Sequence, residues 1–295
     1  MNSVAIVGVG NMGGAMAARL LEQGWAVRVC DIDAAKVQAL EHLGATACAS
    51  PAEASAGCGA LIVCVVDAAQ VEAVLFGRSG AAAVMGAPQA VLLCPTIAPM
   101  DTVNFAQRLA ERGIDAVDAP MSGGPARARD GSMSLMIACG DPVFQRQREL
   151  IEALSGKIFR ISERPGDGAA TKLVNNLLAG INLVGAAEAM ALAQRLGLGL
   201  AATLEVIEQS SGQSWIGSDR MRRALEGDYE PRAHIALLQK DTRLALECAV
   251  AAGFEGPLGA AARDVFAQAA AAGFAQLDDA AVFKLLSRTH GQPSA

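Results

Sequence analysis

Aromatic residues are scarce in this chain of 295, with one tyrosine, two tryptophans and eight phenylalanines, 4% in all. Charge is thin as well: 18% of residues are charged, 24 basic against 30 acidic, for a net charge of -6 at pH 7. No basic run occurs and none is interleaved with aromatics, so the footprint of a nucleic-acid surface is missing, and the acidic balance points the same way. The three histidines, His42, His234 and His290, stand far apart, and no metal centre is expected. The seven cysteines, Cys30, Cys48, Cys58, Cys64, Cys94, Cys139 and Cys248, contain no Cys-x-x-Cys pair and no regular framework. Several lie inside apolar, strand-like runs, so they read as buried free thiols in a reducing compartment. The apolar stretch 180–193 is too short to span a bilayer, contains Glu188 and is followed by Arg195. The opening residues have no basic segment, and glycines break their apolar run, so no signal peptide is expected. A cytoplasmic protein with neither a nucleic-acid nor a membrane partner is the expectation.

What is present is apolar and small: 52% of residues are hydrophobic and 31 are glycine. The length allows two domains with sizeable cores. The chain opens as a strand at 4–7, a turn Gly8-Val9-Gly10-Asn11-Met12-Gly13, a helix at 14–23 and a second strand at 26–30 ending at Asp31. Each part of the turn has a task. Gly8 permits it, Gly10 lets a diphosphate approach the backbone, and Gly13 lets the helix pack closely on the sheet. The helix N-terminus offers N–H groups and positive dipole density to phosphates. This context makes the turn, with Asn11 and Met12, a dinucleotide site. A carboxylate at Asp31 can accept from both ribose hydroxyls and repel a 2′-phosphate, and no arginine follows at 32–35, which favours NAD over NADP.

Further strand–helix alternation follows. Residues 60–66 and 90–94 are continuous apolar strands of the kind buried on both faces of a parallel sheet. They end at Asp67 and at Pro95-Thr96, and strand C-terminal ends line the ligand crevice in this architecture. Val66 and Asp67 are therefore candidates for the adenosine side and Thr96 for the nicotinamide side, against ordinary turn residues. A strand at 114–117 runs into a loop, Asp118-Ala119-Pro120-Met121-Ser122-Gly123-Gly124-Pro125. There Ser122 and the amides of Gly123 and Gly124 can form an anion nest for a substrate carboxylate, or a plain tight turn. Strands at 133–139 and 157–161, with a helix from Asp141, complete a first domain at 1–162.

From Gly166 the pattern is helical throughout, giving a second domain at 163–295. The first helix, 166–196, is long and nearly uncharged over its first twenty residues, yet Lys172 sits near its start. Lys172 and Asn176 are four apart and share one face. A cleft-facing or buried ammonium is expensive unless something uses it, which makes Lys172 the catalytic candidate. The alternative is a lysine that snorkels to water. Apolar residues on several faces place this helix at the centre of its domain or at a subunit interface. Lys240, in Gln239-Lys240-Asp241, reads either as a lysine paired with Asp241 or as a cation reaching the cofactor cleft. The string Ser210-Ser211-Gly212-Gln213-Ser214-Trp215 either caps a substrate cleft or links two helices.

Four ordered motifs, 8–20, 118–134, 166–176 and 240–246, together resemble the β-hydroxyacid dehydrogenase family across essentially the whole chain. That group includes 3-hydroxyisobutyrate dehydrogenase, tartronate semialdehyde reductase and 6-phosphogluconate dehydrogenase. The resemblance implies an α/β Rossmann domain followed by an all-α domain, joined by a long interdomain helix, in a homodimer or homotetramer. It implies NAD-dependent, reversible oxidation of the hydroxyl of a small β-hydroxy acid. Lys172 would be the acid/base and Asn176 would bind on the substrate hydroxyl side. Ser122, Gly123 and Gly124 would hold the carboxylate, and Lys240 would lie near the nicotinamide. Within the family, residues 66–70, 227–232, 272–274 and 278–279 look most like the L-threonate dehydrogenase branch, with 3-hydroxyisobutyrate dehydrogenase or a semialdehyde reductase as alternatives. Met121 and Thr242 depart from the usual valine and leucine, away from the implied chemistry. An imine reductase would share the fold but usually lacks the lysine, and a non-catalytic NAD-binding module would have no use for the lysine–asparagine pair.

Overall fold

A computed structural model describes residues 2–287, so His290 lies outside the described residues. Contacts divide the chain into two compact units, residues 1–172 and 173–295.

In the first unit, the chain runs β1 (Ser3–Val7), α1 (Asn11–Glu22), β2 (Ala26–Cys30), α2 (Ala34–Glu41), β3 (Thr46–Ala47), α3 (Pro51–Ser55) and β4 (Ala60–Val63). It continues through α4 (Ala68–Phe76), β5 (Ala90–Leu93), α5 (Pro99–Ala110), β6 (Asp115–Asp118), β7 (Met121–Ser122) and α6 (Gly124–Asp130). Then come β8 (Ser134–Ala138), α7 (Asp141–Leu154), β9 (Lys157–Ser162) and the start of α8 (Asp167–Arg195). The nine strands form one sheet in the order β3-β2-β1-β4-β5-β6-β8-β7, with β9 beside β8. Strands β3 to β6 pair in parallel.

Side chains alternate across these strands as the pleat requires. Val4, Ile6, Ile62 and Leu92 face Met16 and Leu20 of α1 and Leu150 and Ile151 of α7. Ala5, Val7, Leu61, Val63, Val91 and Leu93 face Val71 and Leu75 of α4 and Phe105 and Leu109 of α5. Both faces are covered, which is why β4 and β5 read as unbroken apolar runs.

The structure departs from the sequence expectations at two strand ends, one loop and one helix. The run 60–66 leaves the sheet at Val63, and 90–94 leaves it at Leu93. Residues 121–122, expected in a loop, form β7, which pairs antiparallel with β8 at Met121↔Leu135 and Ser122↔Ser134. The alternation therefore ends in an antiparallel edge, with β8 also antiparallel to β6. The helix α5 was not foreseen; Pro99 starts it, and its narrow apolar stripe is Thr102, Phe105, Ala106 and Leu109.

Beyond α8 the second unit holds α9 (Leu200–Glu208), α10 (Trp215–Glu226), α11 (Ile235–Ala251), α12 (Pro257–Ala269), a π turn at Ala270–Phe274 and α13 (Val282–Leu286). Leu183, Ala187 and Met190 of α8 pack with Met221, Leu238 and Phe266 in one core. By length and composition α8 is long enough and apolar enough to cross a membrane, a longer segment than 180–193 suggested. Its buried face is nevertheless the spine of the helical core. The segments 227–232 and 278–279 meet around buried Asp278. Its carboxylate accepts from Arg232 N at 2.8 Å and pairs with Arg223 at 2.9 Å, while Arg220 pairs with Asp279. All seven cysteines are free, five of them buried.

Candidate functional site

The turn after β1 lies where the strand order reverses, between β2 and β4, the position at which such sheets bind ligands. Gly8 has φ +89, and a Cβ there would stand 2.5 Å from the Cys64 carbonyl oxygen. A Cβ at Gly13 would stand 1.9 Å from the carbonyl oxygen of Gly8. Both positions are closed to any side chain, so the start of α1 lies directly on the turn. Around Gly10 the space is open, with nothing within 4 Å of a Cβ. No side chain at Gly10 caps α1, and its first turn, which includes Asn11 and Met12, carries no acid. These features suit a diphosphate: a tight turn, a bare approach and a helix end with positive dipole density.

Asp31, just past β2, faces this turn. Its Oδ2 accepts from Val9 N at 2.6 Å and its Oδ1 from Asp33 N at 2.9 Å. The two bonds fix the carboxylate, and each oxygen keeps a lone pair for a ribose hydroxyl. Lys36, the nearest following cation in sequence, is paired with Asp33 at 3.2 Å. Asp67 has a structural task as the N-cap of α4, accepting from Gln70 N at 2.8 Å. Gln70 Oε1 in turn accepts from Val66 N at 2.9 Å. Thr96 follows β5 in the segment leading to α5.

Ser122 ends β7, half-buried. Gly123 and Gly124 follow with φ +132 and +76, backbone that a side chain would strain. A Cβ at Gly123 would lie 2.9 Å from Arg127 Cδ, so the α6 side chain packs on the glycine backbone. Lys172, on the second turn of α8, is 8% exposed. A snorkelling lysine keeps its ammonium in water and shows more surface than that.

In the helical unit Asn176 is buried, and its Nδ2 donates to Asp241 Oδ2 at 2.7 Å. A carboxylate only accepts, so this bond fixes which way the amide faces. Asn175 Nδ2 donates to Asn176 Oδ1 at 3.1 Å. Lys240 Nζ stands 2.8 Å from Asp241 Oδ1, with only 17% of its side chain exposed. Lys240 thus pairs with Asp241, as a surface lysine would, but in a largely buried setting. The sequence reading treated Asp241 only as a partner for Lys240; the structure makes it the hub joining Asn176 to Lys240. A second charge beside Lys240 inside an apolar run was the available signal. Trp215 opens α10 behind Ser214, whose Oγ caps the helix by accepting from Gly217 N at 3.1 Å.

Comparison with known proteins supplies the remaining identification. Residues 3–162 match the NAD binding domain of 6-phosphogluconate dehydrogenase, and residues 166–286 match the family described as NAD-binding of NADP-dependent 3-hydroxyisobutyrate dehydrogenase. An L-threonate dehydrogenase from Cupriavidus necator is 38% identical over 283 residues, 96% of this chain and 95% of that protein. A 3-hydroxyisobutyrate dehydrogenase from Pseudomonas aeruginosa is 35% identical, covering 90% of this chain and 91% of its own. Among solved structures, a 3-hydroxyisobutyrate dehydrogenase from Salmonella typhimurium superposes with TM-score 0.91 at 36% identity, covering 97% of this chain and all of that one. Likeness of this extent, over the dinucleotide turn and the lysine-bearing helix alike, makes the chain a member of the β-hydroxyacid dehydrogenase family and an NAD-dependent oxidoreductase.

Proposed function

We propose that this enzyme oxidises the hydroxyl of a small β-hydroxy acid reversibly, with L-threonate or a similar four-carbon sugar acid as substrate and NAD preferred over NADP. One observation carries the chemistry: a lysine buried to 8% exposure on an apolar helix, which is costly unless the ammonium is used. NAD, when bound, supplies the hydride acceptor, or the donor in the reverse direction. The other tasks fall to the chain. Lys172 takes the hydroxyl proton in oxidation as the neutral amine and returns it in reduction as the ammonium. Asn176, one turn along α8 and fixed by Asp241, presents its carbonyl oxygen to the substrate hydroxyl side. Ser122 with the amides of Gly123 and Gly124 holds the carboxylate, and Lys240 adds a cation on the nicotinamide side. Gly8, Gly10 and Gly13 receive the diphosphate, Asp31 the ribose, Val66 and Asp67 the adenosine side, and Thr96 the nicotinamide side.

The acid is chosen on the names of the relatives, L-threonate dehydrogenases at 35–38% identity over nearly the full chain. The similar 3-hydroxyisobutyrate dehydrogenases keep 3-hydroxyisobutyrate as the second reading. We set the functional division at 162/163, a reading supported by the matches to 3–162 and 166–286. Free cysteines suit a reducing cytoplasm. An exposed stripe on α8 of Val174, Leu178, Gly185, Ala189 and Leu192 supports a homodimer or homotetramer. Their spacings of four, seven, four and three residues put them on one face.

The test is a panel of L-threonate, 3-hydroxyisobutyrate, L-serine, D-glycerate and their stereoisomers with NAD, following reduced nicotinamide, on the native enzyme and Lys172→Ala. L-threonate should give the highest kcat/KM. Lys172→Ala should lose at least about a hundredfold in kcat, the lower end of the general acid–base range, while still binding NAD. Near-normal turnover by that variant would remove Lys172 from the chemistry.

A further inference from the structure

One buried acid in the first unit has no part in the chemistry above. Asp118 is the last residue of β6 and is 1% exposed. Its Oδ2 accepts from Gly166 N at 2.8 Å and Ala169 N at 3.1 Å, and the Gly168 amide also bonds to the carboxylate. These amides belong to the first turn of α8, whose N–H groups have no partner within the helix. A helix is usually capped by the residue just before it. Here the cap comes from a strand 48 to 51 residues earlier in the chain.

The receiving turn is shaped for that carboxylate. A Cβ on Gly168 would stand 2.9 Å from Asp118 Cγ and Oδ2. Gly166 has φ +100, and a Cβ there would stand 2.8 Å from Val103 Cγ2 and 3.2 Å from Pro99 O. Glycine at both places lets the turn close over the acid.

Connectivity gives the arrangement its meaning. From Asp118, four residues of chain lead to Ser122. From Ala169, which donates to it, three residues lead to Lys172. One carboxylate therefore sets the spacing between the strand that leads to the Ser122–Gly124 nest and the helix turn that leads to the lysine. We propose that Asp118 is a positioning residue for proton transfer, fixing Lys172 relative to the carboxylate nest by fastening the first turn of α8 to the end of β6. This rests on the reading of Lys172 as the acid/base. The arrangement is costly as a mere helix start. Burial pushes the Asp118 carboxyl up to about 6, Asp167 nearby adds to this, and the three amides hold it down. An exposed serine or aspartate before α8 would cap the helix without burying a charge. What the buried bond adds is precision, on which an acid/base lysine depends.

The test uses full-length Asp118→Asn and Gly168→Ala, with Lys172→Ala as reference. Asparagine keeps the size of the acid but removes its charge and one of its two acceptor oxygens, whereas alanine at 168 pushes the carboxylate away from the other side. For each variant, NAD affinity, thermal midpoint, KM for the best acid of the panel, and kcat per NAD-binding site are measured. The solvent deuterium isotope effect on kcat is measured as well. Counting NAD sites removes any loss of folded protein from kcat. NAD affinity and KM should stay within about threefold, while kcat per site falls about 10- to 100-fold, the scale of an ångström of misplacement. The isotope effect should rise, because proton transfer becomes slower. If either variant binds NAD and keeps kcat per site within about twofold, less than the smallest expected positioning effect, Asp118 is a structural cap only. If neither variant binds NAD, its role is stability and the inference equally fails. An active Lys172→Ala would instead overturn the reading beneath it. An inactive Lys172→Ala beside a fully active Asp118→Asn would overturn this inference alone.

Discussion

Asp31 is held by two backbone amides, so its charge stands in a fixed place beside the glycine turn. Asp31→Ala should weaken NAD binding and raise relative use of NADP, because the repulsion of a 2′-phosphate goes with the carboxylate. An unchanged ratio of kcat/KM for the two cofactors would count against it. Asp118 makes a second prediction, in pH. Its folded pKa of about 6 lies above the ordinary 3.8, so the native state holds the proton more tightly than the unfolded chain. The resulting stabilisation is complete below the unfolded value and is lost as pH rises through the folded one. Asp118→Asn carries no such titration. Its thermal midpoint relative to the native protein should therefore be more favourable at pH 7 than at pH 4.5, and an unchanged difference would contradict this. These two acids show unequal legibility. Asp31 was readable because it closes the strand after a glycine turn. Asp118 was not, because its partners lie on another element some fifty residues away.

At the level of elements, the two kinds of unit leave different marks. Strands β1, β4 and β5 are buried on both faces and announce themselves as apolar runs, although their ends are set by where the chain leaves the sheet. The two-residue β7 had no pattern of its own; pairing with β8 creates it. In α8 the outline was plain from composition, but its inner and outer faces were not, because leucine, valine and alanine occupy both. Close packing decides between them: a Cβ on Gly180 would meet Thr242 Cγ2 at 2.9 Å and the Phe266 ring at 3.2 Å. Phe266 is fully buried in the helical core. Phe266→Ala should cost about 3–5 kcal/mol, measured by denaturant unfolding. A loss below about 1 kcal/mol would mean that the core closes over the gap.

Across the whole molecule, a chain poor in charge and aromatics still exposes a coherent apolar stripe on α8. If that face is covered by a second copy, Leu192→Glu should shift sedimentation toward the monomer while leaving the circular dichroism spectrum intact. An unchanged sedimentation coefficient would place the contact elsewhere. The sequence by itself determined the strand–helix alternation of the first unit, the helical second unit, the glycine turn, the apolar helix that carries Lys172 and the family, because each depends on residues adjacent in the chain or one helical turn apart. Only the tertiary structure decided which way Asn176 faces, what holds Lys240 and which strand fastens the helix of Lys172. Those answers depend on Asp241 and Asp118, carboxylates that meet their partners across long stretches of chain. No local periodicity encodes such contacts, since burial and hydrogen bonding select them only when the elements pack.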